Sequence, residues 1–273
     1  MIPQTFWLLP FVMLYVASCS NSTKSNPNGE STSEQALRIM TYNIHHANPP
    51  SEGDSIDIDA IAEVIRKANP DLVALQEVDV YTERSGKNLH QARALAQRLD
   101  MHYYFARALD YQNGFYGNAV LSKFPILDSM RIELPPMEGV QAENRNWTGI
   151  KVSVDDNEIW FGSTHLDFQR GDNNLDQSRR LVQQLERIKL PIITGGDFNR
   201  PPDSETMEFF ADHFQRTCSD CPPTIPVTDP NRTIDHLIFR PKDRFAVANH
   251  RVIDEQYASD HLPVIATLVI QRK

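Results

Sequence analysis

Short apolar runs that stop abruptly at an amide, a carboxylate or an imidazole constrain this chain more than any other feature. Leu37–Asn43 alternates as a strand and ends on Asn43, while Asp71–Leu75 reads as a buried strand that gives way at once to Gln76 and Glu77. His165 closes the run Phe161–Thr164, and Asp197 and Asn199 follow Ile192–Thr194. Asp235 and His236 open Ile234–Phe239, and Asp260 and His261 precede Leu262–Ile270. Further strands are expected at Tyr103–Ala106, Gly117–Leu121, Ile150–Val154 and Ile159–Ser163. One Asp or Asn at such a place is an ordinary turn residue. The whole set is what a rigid scaffold with chemistry on its rim requires.

Three amphipathic helices separate these strands. Residues 57–68 place Ile58, Ile61, Val64 and Ile65 on one face and stop at Asn69-Pro70. Residues 88–99 align Leu89, Ala92, Leu95, Ala96 and Leu99, and residues 173–189 align Leu175, Leu181, Val182, Leu185 and Ile188. Many strands and few helices in mixed order, with no repeat, imply two packed sheets covered by helices. No linker-like stretch follows residue 35, so residues 36–273 are expected to form one domain.

The first residues follow other rules. Phe6–Val16 is uncharged and apolar but far shorter than the roughly 20 residues of a spanning helix. It fits the apolar region of a signal peptide, here residues 1–18, although no Lys or Arg precedes it. Val16-Ala17-Ser18-Cys19 then resembles the lipobox of bacterial lipoproteins, with Cys19 as the lipidated residue. Residues 19–35 are small, polar and punctuated by Pro27 and Gly29, the composition of a flexible tether. The expected location is the cell envelope, periplasm-facing or surface-exposed, with the membrane reached through Cys19. Cys218 and Cys221 form a lone CxxC, read as a loop disulfide or two inert thiols, since zinc would want two further ligands.

A net charge of −9 sets a condition on any phosphate chemistry: a bound cation or a local basic pocket must reverse the field. The same balance disfavours long duplex nucleic acid, which rewards basic stripes.

Thr41-Tyr42-Asn43, Leu75-Gln76-Glu77-Val78, Gly117-Asn118-Ala119-Val120-Leu121-Ser122, Ser163-Thr164-His165-Leu166, Gly196-Asp197-Phe198-Asn199, Thr233-Ile234-Asp235-His236 and Ser259-Asp260-His261-Leu262-Pro263-Val264 occur in one order along the chain. Together they resemble the successive motifs of the endonuclease/exonuclease/phosphatase superfamily. The resemblance runs from residue 38 to about 270. It implies a four-layered α/β/β/α sandwich of two mixed sheets flanked by helices, and divalent-metal-dependent hydrolysis of phosphoesters. It also implies Glu77 as main ligand of Mg²⁺ or Mn²⁺, with Asn43 beside it and Asp260 near or on the metal. Asp197 becomes the water-activating base, and Asn199 orients it or the phosphoryl group. Asp235 holds the His261 imidazole so that it binds phosphate as a cation, and His165 contacts the phosphate or the leaving oxygen. Asn118 and Arg145 are candidates for substrate binding, an exposed solvated arginine being the alternative for Arg145. His236 is expected to point away, because neighbours on a strand face opposite sides.

His45, two positions after Asn43, departs from the acidic residue that DNA-repair members tend to carry, which points away from abasic-site endonucleases. A structural role for His45 and His46 is the competing reading to contact with metal or substrate. Export disfavours deadenylation, and the chain shows no aromatic hairpin of the kind expected of sphingomyelinases. A monomer acting on a small-molecule or lipid-derived phosphate remains. The alternatives are an exported nuclease and a non-catalytic surface binding protein. The last would be expected to have lost some of Glu77, Asp197, Asn199, Asp235 or His261, and all five are present.

Overall fold

The computed structural model describes residues 36–271, with residues 1 and 3 besides. The expected signal peptide, Cys19 and the tether therefore lie outside the described residues. The chain runs β1 (Ala36–Asn43), α1 (Ile58–Ala68), β2 (Leu72–Val80), α2 (Gln91–Leu99), β3 (His102–Tyr111), β4 (Gly114–Ser122), β5 (Asp128–Leu134), β6 (Arg145–Val154), β7 (Asn157–His165) and α3 (Gly171–Leu185). It continues through β8 (Ile192–Asp197), α4 (Glu205–His213), β9 (Gln215–Arg216), β10 (Asp235–Arg240), β11 (Phe245–Val252) and β12 (Val264–Ile270).

The strands form two six-stranded sheets, ordered β11-β12-β1-β2-β4-β3 and β5-β6-β7-β8-β10-β9. Among the described residues only β1–β2 and β7–β8 pair in parallel, so both sheets are mixed. Leu37, Ile39, Leu72 and Val120 of the first sheet pack on Ile150, Phe161, Ile193 and Phe239 of the second, which forms the central apolar layer. Ile61 and Ile65 of α1 and Leu95 of α2 cover the outer face of the first sheet, beside Tyr42 and Leu75. Leu181 and Leu185 of α3 and Phe210 of α4 cover the second, beside Trp147 and Ile192. The result is the expected α/β/β/α sandwich. Among the described residues no helix is long and apolar enough to cross a membrane.

Local chemistry explains the element ends. Asp57 caps α1 by accepting from Ala60 N at 2.9 Å, and Asn69 ends that helix in the left-handed region. β2 does not stop at Leu75. It continues to Val80 through a bulge in which the register against β4 shifts between Leu75 and Val78, with Glu77 at φ +57°. A bulge re-aims a side chain without ending the strand, so the polar break in the sequence marks Glu77 rather than a strand end. A second device lies just beneath. The buried Gln76 donates from Nε2 to Ser163 Oγ at 2.8 Å, and Ser163 Oγ donates to Leu75 O at 2.8 Å. Those bonds tie one sheet to the other directly under the rim. Gly195 permits the approach, since a Cβ there would stand 2.8 Å from Thr41 Cβ.

Candidate active site

Sheet register brings the rim together. Three adjacent strands place His165, Asp197 and Asp235 at one level, for His165 pairs with Asp197 across β7–β8 and Asp235 with Asp197 across β10–β8. Side chains of directly paired residues share a face. The first sheet contributes Asn43, paired with Gln76 across β1–β2, and Glu77 from the bulge. Asn43 Nδ2 bridges the two sheets, donating to Glu77 Oε1 and to Asp197 Oδ2, each at 3.1 Å.

Asp197 is the hub. Its Oδ1 accepts the Asn199 N–H at 2.9 Å, while Oδ2 stands 3.5 Å from His165 Nε2 and 3.8 Å from His261 Nε2. Burial, followed by the neighbouring charge of Asp235, raises its carboxyl to about 7, with His261 and the Asn199 N–H acting against that rise. Burial also works against a charge on His261. The carboxylate of Asp235, hydrogen-bonded to His261 Nδ1 at 2.9 Å, and those of Asp197 and Asp260 outweigh it and lift the imidazole to about 10. His261 is therefore an imidazolium at neutral pH. His165 is driven the other way, well below 6.5, by burial and by the positive charges of Arg145 and His261.

Glu77, His165, Asp197, Asn199 and His261 line one cavity of about 630 Å³, together with Arg145. Arg145 is not a solvated surface residue. It is 4% exposed, pairs through Nη2 with Glu143 Oε2 at 3.1 Å, and leaves Nε and Nη1 without a partner. A buried, half-satisfied guanidinium is costly unless a ligand completes it. Arg200 and Arg232 also line the cavity, so the local field departs from the acidic whole.

Other candidates sit outside that wall. Asn118 donates from its amide to Asn146 O and Oδ1 at 3.0 and 2.8 Å and is not among the lining residues. Asp260 meets Ser259 Oγ at 3.4 Å and acts on His261 through its charge. His236 points away as expected, with Nε2 3.0 Å from Arg200 O and its ring against Phe198. His45 binds Asn43 Oδ1 through its N–H and Asn48 O through Nδ1, and it stands with His46 and Ala47 in a run of positive φ; its bonds are those of a structural residue.

Sequence reasoning missed Thr224. Its buried hydroxyl donates to Asp235 Oδ2 at 2.6 Å, the oxygen that also accepts from His261. Nothing in the loop around it signals that role. Phe168 and Tyr116 of the cavity wall were missed as well, being single aromatic residues without a motif of their own.

The buried ligand atoms of Asp197, Asp235 and His261 lie within 4.8 Å of one another, close enough to hold a metal ion. Protonated His261 is a poor ligand, however, and Asp235 Oδ2 is taken up by His261 and Thr224, which leaves Oδ1 as the unpartnered oxygen of that carboxylate. The carboxylate of Glu77, facing the cavity with Asn43 at its side, is the better hard-oxygen position.

Fold and rim together define a hydrolase of phosphoester bonds. The chain belongs to the Endonuclease/Exonuclease/phosphatase family, whose model matches residues 40–261. Its fold is similar to that of an endonuclease/exonuclease/phosphatase from Beutenbergia cavernae, with 24% identity, a TM-score of 0.72, and coverage of 86% of this chain and 72% of that one. It is similar to a mannosyl-6-phosphatase of Bacteroides thetaiotaomicron at 21% identity and TM-score 0.70, covering 86% of this chain and 100% of that one. The catalytic domain of human Nocturnin, solved with bound sulfate, gives 23% identity and TM-score 0.68 over 86% of this chain and 94% of that one. Among curated proteins none matches the chain.

Proposed function

We propose that this protein hydrolyses a phosphoester of a small or lipid-derived molecule, with Asp197 activating the attacking water. The observation that carries the reading is Arg145, a buried guanidinium with two unpartnered nitrogens in the wall of the cavity that holds Asp197 and His261. Two fixed cations in the wall of one cavity suit the non-bridging oxygens of a phosphoryl group. Asp197, with its carboxyl near 7, accepts a proton from water at neutral pH; the Asn199 N–H occupies Oδ1, and Oδ2, with one lone pair taken by Asn43 Nδ2, has the other to do so. Neutral His165 stands beside it to contact the phosphoryl or the leaving oxygen. Glu77 and Asn43 would hold the divalent cation, Mg²⁺ or Mn²⁺, which supplies Lewis-acid stabilisation of phosphoryl charge.

The cavity volume suits a phosphate with a compact leaving group. Export through a lipidated Cys19 belongs to the same proposal. It is supported by the lipobox-like sequence and by the Cys218–Cys221 disulfide, a bond of oxidising compartments. A panel of phosphomonoesters, phosphodiesters, phospholipids and plasmid DNA, assayed with Mg²⁺, Mn²⁺ and chelator, tests the activity. Turnover of a small phosphoester in metal is the expected result. Cleavage of DNA alone would transfer the reading to a nuclease, and no turnover of any member would remove it.

A further inference from the structure

Phe168 is 54% exposed, three residues after His165, and it lines the catalytic cavity. An exposed aromatic ring on a floppy loop would mean little. The turn that carries this one is built rigidly. Asp167, 2% exposed, accepts from Gln169 N at 3.1 Å and Arg170 N at 3.3 Å through its own carboxylate, and from Asn173 Nδ2 at 2.8 Å. Its backbone is held on both sides, N–H to Gln177 Oε1 at 2.9 Å and carbonyl to Asn174 Nδ2 at 2.7 Å. Arg200 then fastens the turn to the catalytic strand end, its Nη1 donating to Asn199 O at 2.6 Å and to Phe168 O at 3.4 Å. A lone exposed ring is ordinary on a protein surface; this one is set apart by its place in the wall of the catalytic cavity, on a turn held by so many bonds.

Pro201, Ile225 and Ile234 line the same cavity and give its wall an apolar part beside the charged residues. We infer that Phe168 is a specificity-determining residue, a platform for the ring of the leaving group: the preferred substrate is a phosphoester whose alcohol carries a ring with a flat or apolar face, either a sugar or a nucleobase. This rests on the phosphoesterase reading above and narrows it. A ring laid on Phe168 is desolvated on one face, while Arg200, beside it in the wall, meets its polar edge.

The test is the ratio of kcat/KM for a ring-bearing monoester to that for glycerol 1-phosphate, which has no ring. Glucose 6-phosphate and adenosine 5′-monophosphate are the two ring-bearing probes, and whichever shows the larger ratio identifies the ring type. Phe168→Ala is expected to lower that ratio about tenfold, the usual loss when an aromatic platform is removed. Phe168→Tyr should restore most of it, whereas Phe168→Leu, with apolar bulk and no ring face, should not. A ratio unchanged within about twofold in Phe168→Ala, or full restoration by Leu, overturns the platform while leaving the phosphoesterase standing. A wild-type protein that hydrolyses none of the three probes but turns over another phosphoester overturns the platform alone, whereas no turnover of any phosphoester overturns both.

Discussion

His261 and Asp235 form a closed pair: Nδ1 of the imidazole donates to Asp235 Oδ2 at 2.9 Å, and both side chains are buried. The pair leaves His261 Nε2 as the end that looks toward Asp197, 3.8 Å away. The bond holds the imidazole in place as a fixed cation. It sets the charge state of the wall against which Asp197 works.

Replacing Asp197 with Asn keeps the shape and removes the base. Loss of a positioned base typically lowers rate by about 10²–10⁴, so Asp197→Asn should fall in that range with an unchanged circular dichroism spectrum. His261→Ala should be comparably damaged. Retention of full turnover by either variant would remove the mechanism.

The charge on His261 also makes stability depend on pH. Its folded-state value of about 10 lies above the 6.5 of a free imidazole. Its contribution is therefore fully present below about 6.5 and is lost as pH rises through about 10. In chelator, the Tm of the wild type should fall between pH 7 and pH 10 more steeply than that of His261→Gln. Parallel curves would show that the imidazolium is absent.

Metal binding has a readout apart from turnover. A ligand that binds only the folded state at a hundred times its Kd stabilises by about 2.7 kcal/mol. Saturating Mg²⁺ should raise the Tm of the wild type and leave Glu77→Gln unmoved. An equal shift in that variant would place the ion elsewhere.

Much of this site was legible because strand mouths interrupt apolar runs with residues that have no reason to be there. Glu77, His165, Asp197 and Asp235 stood out in that way, and the sheets place all four on one rim. What stayed hidden has a physical cause. β5 and β11 lie at sheet edges and bury few side chains, so Asp128–Leu134 and Phe245–Val252 show no apolar run. α4 had a readable start, Ser204 capping Met207 N with Glu205 and Glu208 in the first turn, but a weak apolar face concealed it. Thr224 had no signal, because its role depends on a loop folding back onto Asp235.

That loop contact predicts a positioning effect. Hydrogen bonds to a charged group contribute about 1.5–3 kcal/mol. Thr224→Val should therefore lower kcat at least tenfold with little change in KM, and Thr224→Ser should recover most of it. Equal losses in Ser and Val would mean that the hydroxyl is immaterial.

Arg145 offers the sharpest separation of folding from function. Its Nε and Nη1 are buried without partners, and a buried unsatisfied polar group costs about 1–3 kcal/mol. Arg145→Met fills similar volume without that burden, although it leaves Glu143 unpaired at a half-exposed position where the loss is small. The variant should thus melt a few degrees higher than the wild type, in keeping with roughly 2–4 °C per kcal/mol for a domain of this size. Its kcat/KM should fall at least tenfold, because the phosphoryl group loses a fixed, desolvated cation. A structural arginine gives the opposite signature, lower Tm with proportionate loss of activity. The sign of the Tm change therefore decides whether the guanidinium is buried for the fold or for the substrate.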